Sequence, residues 1–359
     1  MEPLAYAGGS KPITSGIIKH TPLDFQVDEV LGFDLETNSS AECPHEWLQI
    51  RKTGINTSYL AQLLAQSTGN KLRDIGYSGM KDRHAVTTQW FSLPSSGNAS
   101  ILKFEKAMDR ELAGTTQSVE ILNSVAHPKK LKRGVHRKNR FKITVRDTNQ
   151  FDESILKRIK KQGVPNYFGS QRFGKRFANL SKAEAMFEKD PRRVKREQRG
   201  LYLSTARGFL FNQIVSARLT QGSWLRPLLA EPINLNASGS IFVFDPEDTN
   251  IEDRIISGDI HTTGALWGNQ STEQTQTEIG LFESRVVCDW PILRDGLVKF
   301  GLKAARRPLR VMLENFSWHL NGTELELKFE LAKGSYATSV LREILSFNDG
   351  SNQNLNVIN

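Results

Sequence analysis

Residues 128–146 read PKKLKRGVHRKNRFKITVR, and the texture of the chain changes partway through them. As far as Arg140 there are seven Lys or Arg and no carboxylate. Beyond it, Phe141, Ile143 and Val145 alternate with Lys142, Thr144 and Arg146, the two-residue period of a strand with one face buried. Near the other end Leu325, Leu327, Phe329 and Leu331 alternate without a break, and a helix carrying Val340, Leu341, Ile344 and Leu345 is expected after them. Upstream, EWLQIRK (Glu46–Lys52) puts Leu48 and Ile50 on one face and Gln49 and Arg51 on the other. Residues 56–69 read as a helix, with Thr57 and Ser58 as capping candidates, Leu60, Leu63 and Leu64 as its apolar stripe and Gly69 as its stop. Strand-rich ends thus enclose a different middle, helical in spacing over 204–219 and acidic and loop-rich over 245–289. Strands and helices without regular alternation predict an α+β fold with an inserted second domain. The tail from Ser346, SFNDGSNQNLNVIN, is expected to be frayed.

The same region carries the charge. From Lys129 to Gly200 there are 23 Lys and Arg against 7 Asp and Glu, in a chain whose net charge is only +9. A second cluster, DPRRVKREQRG, spans residues 190–200. Two such runs beside aromatic and glycine-rich segments point to a polyanion, nucleic acid foremost, since neutralised phosphates release condensed counterions. A solvated helix face is the bland alternative for either run alone. Neither run has an apolar face beside it, which disfavours a membrane surface. With 359 residues, two domains are expected. Two cysteines, Cys43 and Cys288, exclude a disulfide scaffold and suit a reducing compartment. No apolar run is long enough for a membrane span, and MEPLAYAGGSKPITSG does not read as a signal peptide. A cytoplasmic protein is expected, and a monomer, since coiled-coil heptads are absent.

Several chemistries are disfavoured outright. There is no GxxxxGK[ST] loop, no GxGxxG after an expected strand, and no CxxC, HExxH or zinc-deaminase pattern. The seven histidines are scattered without metal spacing, so neither metal nor nucleotide cofactor is expected. What remains is YSGMKDRHAVTTQWF, residues 77–91, in which Asp82 lies between Lys81 and Arg83 just after Gly79. Flanking cations favour the charged form of a carboxylate, and a carboxylate held on a loop can act as nucleophile or base at a sugar carbon. A charged surface turn is the alternative. NYFGSQRFG (166–174) sets Tyr167, Phe168 and Phe173 among two glycines with Gln171 and Arg172. That suits stacking on single-stranded nucleic acid, or else a tight turn with core aromatics. In KGSYAT (333–338) Ser335 is a candidate helix cap.

Together these segments resemble the TruD family of pseudouridine synthases. GMKDRHAVTTQWF is similar to the family's catalytic pattern, a G-x-K-D followed by A-V-T-x-Q, and GVPNYFGSQRFG (163–174) to its second signature. HEWLQIRKTGINT, STARGFLFNQIV, GDIHTTGALWG and AKGSYATSVLREIL resemble four further blocks in the family's order, so the likeness runs from about Phe25 to Leu345.

The resemblance implies isomerisation of a uridine in tRNA, typically position 13 in the D arm, without cofactor or metal. It implies Asp82 as the catalytic aspartate. Phe25, Asn139 and Tyr336 match positions lining the target-base pocket, and Phe141 the aromatic that packs against the flipped base. It also implies a pseudouridine-synthase-type catalytic domain on a mixed, largely antiparallel sheet, residues 1–162 plus 310–359, with an inserted α/β TRUD domain at 163–309. The sequence departs from the family's pattern at Gly208, where a Ser is expected, in the lack of a proline after His261, and at Tyr336, where Phe is also found. A non-catalytic RNA chaperone, and an enzyme that cleaves RNA or removes a base, are the rival expectations.

Overall fold

The computed structural model describes residues 3–35, 43–95, 98–189, 194–236 and 238–352. The chain divides into two compact units, each assembled from separated segments. One comprises 14–151, 314–334 and 347–359; the other comprises 1–13, 152–313 and 335–346.

The first is a sheet unit. Across it run Glu314–Asn321, Glu324–Ala332, Lys138–Asn149, Phe25–Val30, Val86–Pro94, His45–Thr53 and Ser118–His127, in that order. Every neighbouring pair is antiparallel except Phe25–Val30 with Val86–Pro94, which is parallel. Ser15–Ile18 pairs with Lys138–Asn149, and Gly76–Tyr77 with Val86–Pro94.

The register decides which side chains share a face. Phe25 lies opposite Ile143, Val27 opposite Phe141 and Glu29 opposite Asn139; on the other side Val27 lies beside Thr87, and Thr87 beside Lys52. One face is therefore apolar along most of its length and polar at Glu29, Lys52, Gln89 and Asn139. Helices Thr57–Thr68 and Asn98–Glu111 contribute to its apolar part, where Leu48, Ile50, Leu60, Leu64, Phe91 and Phe104 are fully buried. Each such side chain contributes roughly 1.5–3 kcal/mol. The opposite face carries a smaller cluster around Trp47, Trp90 and Val125.

The second unit is mainly helical. Its long helix Arg196–Thr220 buries Phe209, Leu210, Phe211, Ile214 and Val215 among side chains that include Leu180 and Phe187 of Ala178–Glu188 and Leu293 and Leu297 of Pro291–Lys299. Short antiparallel ribbons complete it, Pro232–Leu235 with Ile241–Val243 and Ile260–His261, Thr263–Leu266 with Ala305–Pro308, and Val164–Pro165 with Arg310–Val311. At its centre the fully buried Arg218 and Glu231 meet at 2.9 Å. Arg218 also donates to the carbonyls of Ser223 and Arg226, and Glu231 accepts from the amides of Leu228 and Thr263.

Several local expectations need correction. Thr57 does not cap its helix: Asn56 stands at that position, and the Thr57 hydroxyl turns inward to Gln89. Gly69 does end the helix, in the left-handed conformation that glycine adopts without strain. Tyr336, not Ser335, occupies the cap position of Ala337–Ile344. The acidic stretch is less loop-like than its composition implies, because Glu252 and Asp253 sit in the first turn of Ile251–Ser257 and Thr277 caps Glu278–Val287. Ser346–Asp349 is a strand, while the tail from 353 onward, like 190–193 of the second basic cluster, lies outside the described residues. Along the sequence the chain passes between the two units at 151/152 and at 313/314. Glu153–Gln162 packs against Ala337–Ile344, which places both in the helical unit.

Candidate active site

Asp82 lies on the loop between Gly76–Tyr77 and Val86–Pro94, in the sheet unit. Three groups from that unit pin the loop. Gln89 Nε2 donates to the Gly79 carbonyl at 3.2 Å, the Lys81 amide donates to Thr57 Oγ1 at 3.0 Å, and Lys52 Nζ donates to the Asp82 carbonyl at 3.1 Å. The two side chains are tied to each other, Thr57 Oγ1 lying 2.8 Å from Gln89 Oε1. Backbone held at three points leaves the carboxylate little freedom to wander.

The carboxylate itself is 31% exposed and pairs with Lys19 Nζ at 2.5 Å. Lys19 follows the strand Ser15–Ile18 with φ 53°, is buried, and sets its ammonium 4.5 Å from the centre of the Phe25 ring. One cation thus touches both the candidate nucleophile and a candidate base-stacking ring. Phe25 meets Phe141 edge-on at 6.2 Å, and Phe141 stacks on Phe329 at 5.3 Å. Asp24, anchored by Arg146 Nη2 at 2.8 Å, fixes the turn from which Phe25 enters its strand.

A second layer is buried. Lys81 Nζ pairs with Glu29 at 2.7 Å, and Glu29 also accepts from the Trp90 amide at 3.2 Å. Burial pushes the Glu29 carboxyl above the usual carboxylate range, with Lys81 opposing. Lys52 has no exposed surface and reaches the Ile55 carbonyl at 2.6 Å. Burial pulls its ammonium down to about 8, the Asp82 charge opposing that and Lys81 adding to it. His136 lies 2.5 Å from Ser78 Oγ through Nδ1 and 3.5 Å from Asn139 Nδ2 through Nε2. Asn139 Oδ1 is buried without a hydrogen-bond partner.

Burial, with Lys81 and Lys333 adding to it, lowers His136 to about 4. Between that value and the ordinary 6.5 the unfolded chain binds a proton that the folded chain does not, so stability falls as the pH drops through this window. The expected slope is about 1.4 kcal/mol per pH unit from this group. A histidine NMR titration checks it: the His136 ring signals should stay unmoved at pH 5.5, and movement with a midpoint near 6.5 would contradict the burial argument.

Phe25, Asp82, Asn139 and Phe141 therefore belong to one unit, on one sheet face and the loop over it. Tyr336 belongs to the helical unit. There its hydroxyl accepts from Arg172 Nε at 3.1 Å and Nη2 at 2.8 Å, Arg172 also reaches Ser204, and the Tyr336 ring meets Phe168 edge-on at 6.0 Å. Phe168 lies under two guanidiniums, Arg307 at 4.3 Å and Arg172 at 4.8 Å. At Gly208 a Cβ would lie 3.1 Å from Arg172 Cδ and 3.2 Å from the Phe168 ring, so the serine expected there needs these side chains to give by a few tenths of an ångström. Tyr167 and Phe173 are buried core aromatics, as the tight-turn alternative has it. Lys19, Glu29, Lys52 and His136 were not singled out in the sequence. Among the described residues no three His, Cys, Asp or Glu side chains gather as a metal site.

A family model described as tRNA pseudouridine synthase D (TruD) matches residues 4–193 and 176–344. A tRNA pseudouridine synthase D of Nitrosococcus oceani is 40% identical over 349 residues, covering 95% of this chain and 93% of the relative. One from Aeromonas hydrophila is 40% identical over 350 residues, with 96% and 94% covered. The crystal structure of a chain assigned as tRNA pseudouridine synthase D from Methanosarcina mazei, at 20% identity, superposes with a TM-score of 0.69 over 95% of each chain, which shows a common α+β fold. The chain belongs to the tRNA pseudouridine synthase D family.

Proposed function

We infer that this chain isomerises uridine in tRNA to pseudouridine, with Asp82 as the catalytic carboxylate. The observation that carries this is the pinned Asp82 loop, which holds a part-exposed carboxylate against Lys19 beside Phe25. In the reaction the C1′–N1 bond breaks, uracil turns over, and a C1′–C5 bond forms; N1 gains a proton and C5 loses one, so nothing is consumed. One carboxylate suffices where glycosidases use a pair, because no water is activated and the base is retained. Asp82 either attacks C1′ or removes a sugar proton. A base inside a folded arm must first be flipped out, at a few kcal/mol. Phe25 and Phe141 are proposed to offset part of that cost, at roughly 1–3 kcal/mol per stacked base.

Asn139 Oδ1, a buried acceptor lacking a donor, suits the N3–H of uracil, a donor that cytosine does not present. Position 13 of the D arm is the proposed target. The proposed catalytic domain is 1–162 plus 310–359, with 163–309 as an inserted domain helping to grip the tRNA, and a cytoplasmic monomer as the working form. No helix among the described residues is long and apolar enough to cross a membrane.

The test is tritium release from tRNA transcripts labelled at uridine C5. Release with an intact strand is expected. Binding without release supports the chaperone alternative, and free uracil or a broken strand supports the cleavage alternative.

A further inference from the structure

Lys52 is a charged side chain with none of its surface exposed, on the buried face that also carries Leu48 and Ile50. Burying an ammonium is costly unless its protons find acceptors. Two acceptors are in place, the Ile55 carbonyl at 2.6 Å and the Asp82 carbonyl at 3.1 Å. A neutral donor could satisfy the Ile55 carbonyl without the cost of burying a charge, so the ammonium here calls for a reason. The second acceptor supplies it, since it belongs to the peptide unit of the residue whose carboxylate is the candidate nucleophile.

The two charges that act on Lys52, Asp82 and Lys81, are each paired in turn. Asp82 and Lys81 lie on the loop, Lys19 pairs with the Asp82 carboxylate, and Glu29, two strands away from Lys52 across the sheet, pairs with Lys81. We propose that Lys52 is a positioning residue for the reaction: its ammonium grips the Asp82 carbonyl from beneath and so fixes where the carboxylate meets the flipped nucleotide. This rests on Asp82 being the catalytic group. Lys19 and Lys52 then divide the work, one on the carboxylate and the other on the backbone that carries it.

Burial lowers Lys52 to about 8, so the grip weakens within an accessible range. The experiment is multiple-turnover tritium release at saturating tRNA from pH 6 to 10, with tRNA affinity measured in parallel, on wild type, Lys52→Met, Lys52→Arg and Asp82→Asn. Wild-type kcat is expected to decline with a midpoint near 8. Lys52→Met should lose about 10–100-fold in kcat, in keeping with the cost of a small misplacement, with tRNA affinity unchanged within about threefold. Lys52→Arg, charged throughout the range, should lose the alkaline decline and recover activity relative to Lys52→Met. A fully active Lys52→Met, or the same alkaline decline in Lys52→Arg as in wild type, overturns the proposal. If neither variant folds, a wild-type kcat that is flat from pH 7 to 9.5 overturns it. Activity in Asp82→Asn would remove the catalytic assignment itself; an inactive Asp82→Asn beside unaffected Lys52 variants would remove only the positioning role.

Discussion

Asp82→Asn is expected to lose turnover by about a thousandfold or more while binding tRNA nearly as well as the wild type. The amide has the carboxylate's shape, and its carbonyl oxygen can still accept from Lys19, now 2.5 Å from Asp82 Oδ2. It cannot supply a nucleophile or take a proton. The loop should stay in place, because its anchors are backbone groups of Gly79, Lys81 and Asp82, not the carboxylate. Affinity for tRNA is set mainly by phosphate contacts, and Lys129, Lys132, Arg133, Arg137 and Arg140 are all exposed on the sheet unit. Single-turnover tritium release and filter binding on the same preparation separate the two quantities. Residual activity above about a tenth of wild type would move the chemistry to another group.

Glu231→Gln should cost the helical unit about 3–5 kcal/mol of stability. The substitution keeps the volume but leaves the Arg218 guanidinium, which has no exposed surface, without its counter-charge. Glu231 also accepts from the amides of Leu228 and Thr263, at 2.8 and 2.7 Å. The double variant Arg218→Met with Glu231→Gln should therefore recover part of the loss, because no charge is then stranded. Urea denaturation followed through tryptophan fluorescence measures both; Trp224, whose indole donates to the Leu309 carbonyl, reports from this unit. Equal losses in the single and double variants would mean that the ion pair matters only as packing.

The parts of the fold read correctly from sequence are those set by local pattern. Phe141, Ile143 and Val145 announce their strand, and the same alternation in EWLQIRK, extended by one step, puts Lys52 on the buried face with Leu48 and Ile50. Phe25, Val27 and Glu29 obey the same period, so both buried charges were within reach of a count by twos. Lys19 was not. Nothing near it in sequence marks it, and its partner Asp82 stands 63 residues away. The parallel pairing of Phe25–Val30 with Val86–Pro94 is equally non-local, and without it Gln89 and Glu29 would not share a face. Caps were misjudged where a side chain had a tertiary use: the Thr57 hydroxyl is taken by Gln89 and the Lys81 amide, so the helix does without it.

The strand order has a consequence for synthesis. Lys138–Asn149 emerges early, yet one of its two long neighbours is Glu324–Ala332, whose Leu331 lies opposite Asn139. The ribosome must add about 190 residues between those two, which takes roughly 10–40 s at ordinary elongation rates. Throughout that interval one edge of the strand bearing Asn139 and Phe141 is open to any chain that can pair with it. The nascent protein is thus most vulnerable to aggregation at the very strand proposed to hold its substrate contacts, and chaperone demand should persist until Glu324–Ala332 clears the exit tunnel.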